Sequence, residues 1–143
     1  MGRILAIDYG RKRVGLAVTD EMQIIAGGLA TVAAGDVIAF LKEYNARESV
    51  DCFVVGEPRQ MNNQESESVT YIGPFLKVLH REFPGIPIER MDERFTSKMA
   101  SRTMLEAGLK KKARQDKALV DKISATIILQ SYLEARQHKT DNR

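Results

Sequence analysis

The chain has few of the residues on which disulfide-bonded and zinc proteins depend. Its 143 residues contain a single cysteine, Cys52, and two histidines, His80 and His138. One cysteine excludes an internal disulfide. Two histidines far apart in sequence offer neither a zinc constellation nor a histidine-centred nucleophilic triad. Cys52 lies in the apolar run Cys52-Phe53-Val54-Val55, the setting of a buried inert thiol rather than a nucleophile. No apolar stretch approaches the roughly 20 residues that a membrane-spanning helix needs. Met-Gly-Arg-Ile-Leu runs straight into a strand pattern without a secretory signature, so a cytoplasmic protein with no membrane partner is expected. Internal repeats and low-complexity segments are also lacking.

Hydrophobic residues make up 43% and charged residues 29%, a globular balance without a disordered signature. The length suits one domain, expected over residues 1–137, with a polar C-terminal tail at 138–143. The formal net charge is only +3, but the cations are gathered. Arg11, Lys12 and Arg13 form one cluster; Lys110, Lys111, Lys112, Arg114 and Lys117 form another, opposed only by Asp116. Such clusters are what counterion release from a polyanion requires, although a solvated loop would account for the second equally well.

Period-two and short apolar runs place strands at Arg3 to Asp8, Val14 to Asp20 and Leu29 to Val32, with a turn at Ile24 to Gly28. Val37, Phe40, Leu41 and Tyr44 have helical spacing, so a helix runs from Asp36 to about Ala46. An apolar strand, Cys52 to Val55, ends at Gly56, and a polar loop spans Glu57 to Ser66. A second helix carries Val69, Ile72, Leu76, Leu79 and Phe83 and is interrupted or started at Gly73-Pro74. A last strand, Ile86 to Met91, delivers Asp92-Glu93-Arg94. Thr96 or Ser97 caps a helix ending at Gly108, a basic loop runs from Leu109 to Lys117, and a long helix begins near Ala118. Hairpins followed by strand-helix alternation imply one mixed sheet with helices on its faces.

Three sets of acids fall where apolar elements run out. Asp8 ends the first strand, beside the basic turn. Asp92 and Glu93 end the last strand. Asp121 lies on the helix face that carries Ala125, Ile128, Leu129 and Tyr132, a face that should press on the sheet. A carboxylate there must meet a cation or be protonated; Lys117 and Lys122 are the local candidates, and Lys122 points elsewhere. Asp8, one of the Asp92-Glu93 pair and Asp121 can converge at one sheet edge. Carboxylates packed together are stable only if some are protonated or a dication sits among them. Oxygen-only ligands point to Mg²⁺ or Mn²⁺, and such a site can hold one ion or two about 4 Å apart to hydrolyse a phosphodiester.

The segments DYGRKRVGLAVTD (Asp8 to Asp20), VVGEPRQMNN (Val54 to Asn63), DERFTS (Asp92 to Ser97) and ALVDKISATIILQSYL (Ala118 to Leu133) resemble the YqgF family, also called RuvX, in the family's order. The resemblance implies an RNase H-like fold and a nuclease, similar to Holliday junction resolvases, that processes the 5′ end of pre-16S rRNA. It implies catalysis by Asp8, Asp92, Glu93 and Asp121, with the metal on Asp8, Glu93 and Asp121. It places Gly10, Arg13 and Gly15 in the first motif, Gly56, Pro58 and Asn62 after the fourth strand, and Arg94 and Thr96 in the third. Turn and cap geometry would explain Pro58 and Thr96; the forked donors of Arg13 and Arg94 suit phosphate. The expected nucleic-acid contacts are therefore Gly10, Arg11, Lys12, Arg13, Asn62, Arg94, Lys110, Lys111, Lys112 and Arg114.

Two positions depart from the family pattern. Glu57 replaces a usually apolar residue, and Ser124 stands where related resolvases often carry a further acid. Precursor ribosomal RNA, free or on the ribosome, and branched DNA are the competing substrates; a monomer would fit an RNA end, a homodimer a symmetric junction. Two other classes share features with this chain. Actin- and sugar-kinase-like ATPases carry a similar acidic hairpin but need a second domain copy. A non-catalytic nucleic-acid-binding module would not need all three acid positions.

Overall fold

The computed structural model describes residues 2–57, 69–92 and 117–141. Strands β1 (Arg3–Tyr9), β2 (Arg13–Thr19) and β3 (Ala26–Ala33) form an antiparallel meander. Strands β4 (Val50–Glu57) and β5 (Ile88–Asp92) add to the other side of β1, parallel to it and to each other. The spatial order is β3-β2-β1-β4-β5, the mixed sheet that the sequence pattern implies.

Alternation along the central strands divides the core in two. Leu5, Ile7, Val14, Leu16, Phe53 and Val55 pack beneath α1 (Val37–Arg47) and α2 (Val69–Glu82). Ile4, Ala6, Ala17 and Val54 pack beneath α3 (Lys117–Asp141) with Ala125, Ile128 and Leu129. Helices thus cover both faces. Helix α1 buries Val37, Leu41 and Tyr44, one stripe of a 3.6-residue repeat. It ends where the Glu48 N–H donates to the Tyr44 carbonyl at 2.8 Å, and the Asn45 side chain accepts from Val50 N–H at 3.0 Å, leading the chain into β4. Lys42 of α1 pairs with Glu82 of α2 at 3.0 Å, and that ammonium holds the Glu82 carboxyl below its usual range.

Several boundaries move from their sequence positions. Strand β3 begins at Ala26 rather than Leu29, so Gly27 and Gly28 pair with Val18 and Ala17. Glycine is a poor strand former, but a Cβ on Gly28 would lie 2.8 Å from the Lys122 stem, so the close passage of α3 favours it there. Helix α2 runs from Val69 straight through Pro74. The proline's missing N–H forfeits the bond to the Thr70 carbonyl and its ring crowds that oxygen, a cost that the packing of Ile72, Phe75 and Leu79 in the core offsets. Strand β4 continues through Gly56 to Glu57, β5 is shifted to Ile88–Asp92, and α3 extends to Asp141, past the expected tail boundary at residue 138. Cys52 is half-buried, and burial pushes its thiol up, as for an inert cysteine. Among the described residues no helix is long and apolar enough to cross a membrane.

The β2–β3 connection is organised by one carboxylate. Asp20 accepts hydrogen bonds from the N–H groups of Met22, Ile24 and Ile25 at 3.2, 2.8 and 2.9 Å, and Gln23 adopts a left-handed backbone with φ of 59°. The Gln23 amide donates to the Gly2 carbonyl at 2.7 Å and accepts from Arg136 at 3.1 Å, joining the loop to the sheet's lower end and to α3. The bonds from Ile25 and Ile24 hold the Asp20 carboxyl below its ordinary value. A depressed folded pKa stabilises above the unfolded value, near 3.9, and that contribution is lost as pH falls through the folded value. Asp20→Asn, which mimics the protonated form, is expected to melt below wild type at pH 7, and the gap should narrow below about pH 3.9. Thermal melts of both proteins across the acid range check this; a gap independent of pH would contradict it.

Candidate metal and nucleic-acid site

At the upper end of the sheet, β1 and β2 are joined by a tight loop in which the Gly10 N–H donates to the Arg13 carbonyl at 3.0 Å. A Cβ on Gly10 would come within 2.7 Å of that same carbonyl oxygen, so a larger residue would force the loop open. Arg11 and Lys12 are exposed at its tip. Asp8, one position before the strand ends, is the cross-strand partner of Gly15, and such partners lie about 4.5–5.5 Å apart. Ile4 and Ala6 face α3, and the two-residue period puts Asp8 on that face with them. Residues paired across the hairpin share a face, which brings Arg13, Gly15 and Ala17 to the same side.

Helix α3 completes the site. A Cβ built on Gly15 would collide with the Asp121 carbonyl oxygen. The absence of a side chain at position 15 therefore lets the first turns of α3 rest on the strand directly across from Asp8. The Asp121 carboxylate accepts from Arg13 Nε at 2.7 Å. This is the cation that a carboxylate on this helix face requires, and it comes from β2 rather than from Lys122, whose stem lies along Gly28. With Arg13 39% and Asp121 22% exposed, solvent screens the pair, placing it near the ~0.2–1 kcal/mol of exposed ion pairs. Its main effect is to hold the Asp121 carboxylate toward β2.

Asp92 is the last residue of β5, its backbone paired with Glu57 of β4. Because β4 and β5 run parallel to β1, both residues sit at the same end of the sheet as Asp8. Glu93, Arg94, Asn62, Lys110, Lys111, Lys112 and Arg114 lie outside the described residues. Of the expected site, Asp8, Gly10, Arg11, Lys12, Arg13, Asp121 and the backbone of Asp92 are thus gathered at one rim. Among the described residues, no three metal-ligating side chains come together. Asp8, opposite Gly15, and Asp121, whose main chain rests on Gly15, offer oxygen donors only, with one Asp121 oxygen engaged by Arg13, and this donor chemistry fits a hard dication.

A family model described as "RuvX: Holliday junction resolvase" matches residues 2–135. A Porphyromonas gingivalis protein named "Putative pre-16S rRNA nuclease" is 63% identical over 134 residues, covering 94% of this chain and 97% of that protein. Proteins of the same name from Bacteroides fragilis and Flavobacterium psychrophilum are each 59% identical, over 137 and 133 residues, covering 96% and 93% of this chain and 99% and 97% of theirs. Among solved structures, Thermus thermophilus RuvC in complex with a Holliday junction substrate aligns with a TM-score of 0.60 at 18% identity, covering 96% of each chain. The shared architecture is the RNase H-like fold.

The contact between Gly15 and Asp121 carries a direct test. Gly15→Ala should push α3 off the sheet, costing about 1–3 kcal/mol as other overpacked sites do, and separate Asp121 from Asp8. Chemical denaturation measures the first effect; a variant as stable as wild type would show that the helix does not rest on this strand.

Proposed function

This chain belongs to the RuvX family, and we propose that it is a metal-dependent nuclease that hydrolyses phosphodiester bonds at the 5′ end of pre-16S rRNA in the cytoplasm. The observation that carries the proposal is the placement of Asp8 opposite Gly15, the strand residue on which the Asp121 main chain rests, beside Arg13 and the basic tip of Arg11 and Lys12. The high identity to relatives bearing the rRNA-nuclease name favours RNA over branched DNA. A single RNA end needs only one copy of the chain; cleavage of a symmetric junction would call for two.

In this reading Asp8, Glu93 and Asp121 hold Mg²⁺ or Mn²⁺, and Asp92 completes the catalytic set. A bound dication would supply a more acidic water and countercharge for the departing sugar oxygen. Water adds to phosphorus, the bond to the leaving oxygen breaks, and that oxygen takes up a proton. Arg13 keeps the Asp121 carboxylate oriented. Arg11 and Lys12, with Arg94, attract the substrate's phosphates, and Gly10 keeps the loop compact enough for the backbone to approach. Asn62 and the cations Lys110, Lys111, Lys112 and Arg114 extend the nucleic-acid contact.

Purified protein is expected to cut precursor rRNA in preference to four-way junction DNA with Mg²⁺ or Mn²⁺ present. Asp8→Asn and Asp121→Asn should each lose at least about a hundredfold in rate. Asp8→Asn should melt no lower than wild type, because removing a charge relieves repulsion among the acids. Full activity in either variant would refute the assignment, and preferential cleavage of the junction would move the substrate to DNA. Converting Lys110, Lys111 and Lys112 together to Gln should make the dependence of RNA affinity on salt shallower, by roughly 0.7 in log-log slope for each phosphate that is no longer neutralised. Titrations at several salt concentrations measure this, and an unchanged slope would assign that segment to solvent.

A further inference from the structure

The face of β1 opposite Asp8 carries an apolar pocket of about 440 Å³, within the roughly 300–1,000 Å³ range of small-ligand sites. Its walls are Tyr9 and Phe75, Val37 and Ile38 at the start of α1, and Pro74 and Val78 of α2. The Tyr9 and Phe75 rings stack on each other at 4.2 Å between centroids, 16° from parallel, so a further planar group can add to this stack only at an outer ring face. Ala34 also lines it, and the Ala34 N–H donates to the Lys12 carbonyl at 3.0 Å. One wall is therefore fastened to the basic loop that carries the exposed side chains of Arg11 and Lys12. Among the described lining residues, the tyrosine hydroxyl is the only polar side-chain group.

We infer that this pocket receives an unpaired nucleobase of the bound polynucleotide, which extends the Tyr9–Phe75 stack, while Arg11 and Lys12 hold the phosphate attached to it. The inference rests on the nuclease reading and adds to it a preference for substrate that is single-stranded beside the cut. Three features point to a base. Cations outside an uncharged pocket match the two halves of a nucleotide, anionic and aromatic. Stacking needs no base-specific hydrogen bonds, and the side chains of the described lining residues offer almost none. Tyr9 follows Asp8 directly in β1, so a strand whose phosphate lies at the acidic rim has a neighbouring base within reach of the pocket.

The test uses the full chain carrying Asp8→Asn, which leaves the RNA uncut, and single-stranded RNA with 2-aminopurine moved one position at a time through the sequence. Anisotropy reports binding and 2-aminopurine fluorescence reports stacking. Binding with strong quenching at one position is expected. Filling the pocket with Val78→Phe, or from the opposite wall with Ile38→Phe, should abolish that quench and weaken binding about tenfold, with the protein still folded by thermal melt. RNA abasic at that position should bind equally weakly to the unfilled and filled proteins. Bound RNA with no position-specific quench, or a quench that survives both filling variants, overturns the pocket assignment and leaves the nuclease reading standing. RNA that does not bind at all overturns both.

Discussion

The distance at which α3 rides above the sheet governs the rest of the structure. Beneath the helix lie Ala6, Gly15, Ala17 and Gly28, and the helix answers with Ala125. Small residues on both sides let the backbones approach closely, as at glycine-lined crossings generally. The effect is greatest at Gly15, where the strand meets the Asp121 main chain. One side chain larger than hydrogen there would lift the first turns of the helix and draw Asp121 away from Asp8. Acids from remote parts of the sequence are thus brought together by a packing contact that itself carries no charge.

That contact creates an electrostatic problem which the fold partly solves. Carboxylates held at one rim repel each other, and neutrality at pH 7 must come from protons or cations. Arg13 answers for Asp121 at 2.7 Å. The same hairpin loop presents Arg11 and Lys12 outward, so its cations serve both the acids of the rim and the surface above them. The opposite end of the sheet is fastened by paired charges and hydrogen bonds: Arg3 pairs with Glu48 at 3.3 Å, the Asp51 carboxylate accepts from the Gly2 N–H at 2.8 Å, and Gln23 bridges Gly2 and Arg136. Acids gathered at a rim beside exposed cations suit a nuclease that must bring a polyanion against its own carboxylates.

Much of this is legible in the sequence, and particular residues show where legibility stops. Asp8 stands out as a charge ending an alternating apolar strand, and Asp121 as an acid on the apolar face of a helix, because both signals are local and periodic. The mixed sheet follows from the order of the elements. The partner of Asp121 is not visible directly, because Arg13 lies 108 residues away and no local pattern encodes such a pair. Hairpin register can supply it: once Asp8 opposes Gly15, Arg13 must share their face. The start of β3 is misplaced by pattern alone because Gly27-Gly28 reads as a turn until the helix above them is known. Pro74 weakens a helix boundary that tertiary packing then overrides. The pocket behind Tyr9 is hidden for a related reason, since its walls come from three elements separated in the chain.

The pleat of β1 sets Asp8 and Tyr9, adjacent in sequence, on opposite sides of the sheet. Mutation can therefore reshape the helices over one side while the acids on the other keep their positions. Such a partition gives a lineage freedom to drift in what it recognises without sacrificing turnover, because the two demands share a strand but not a surface.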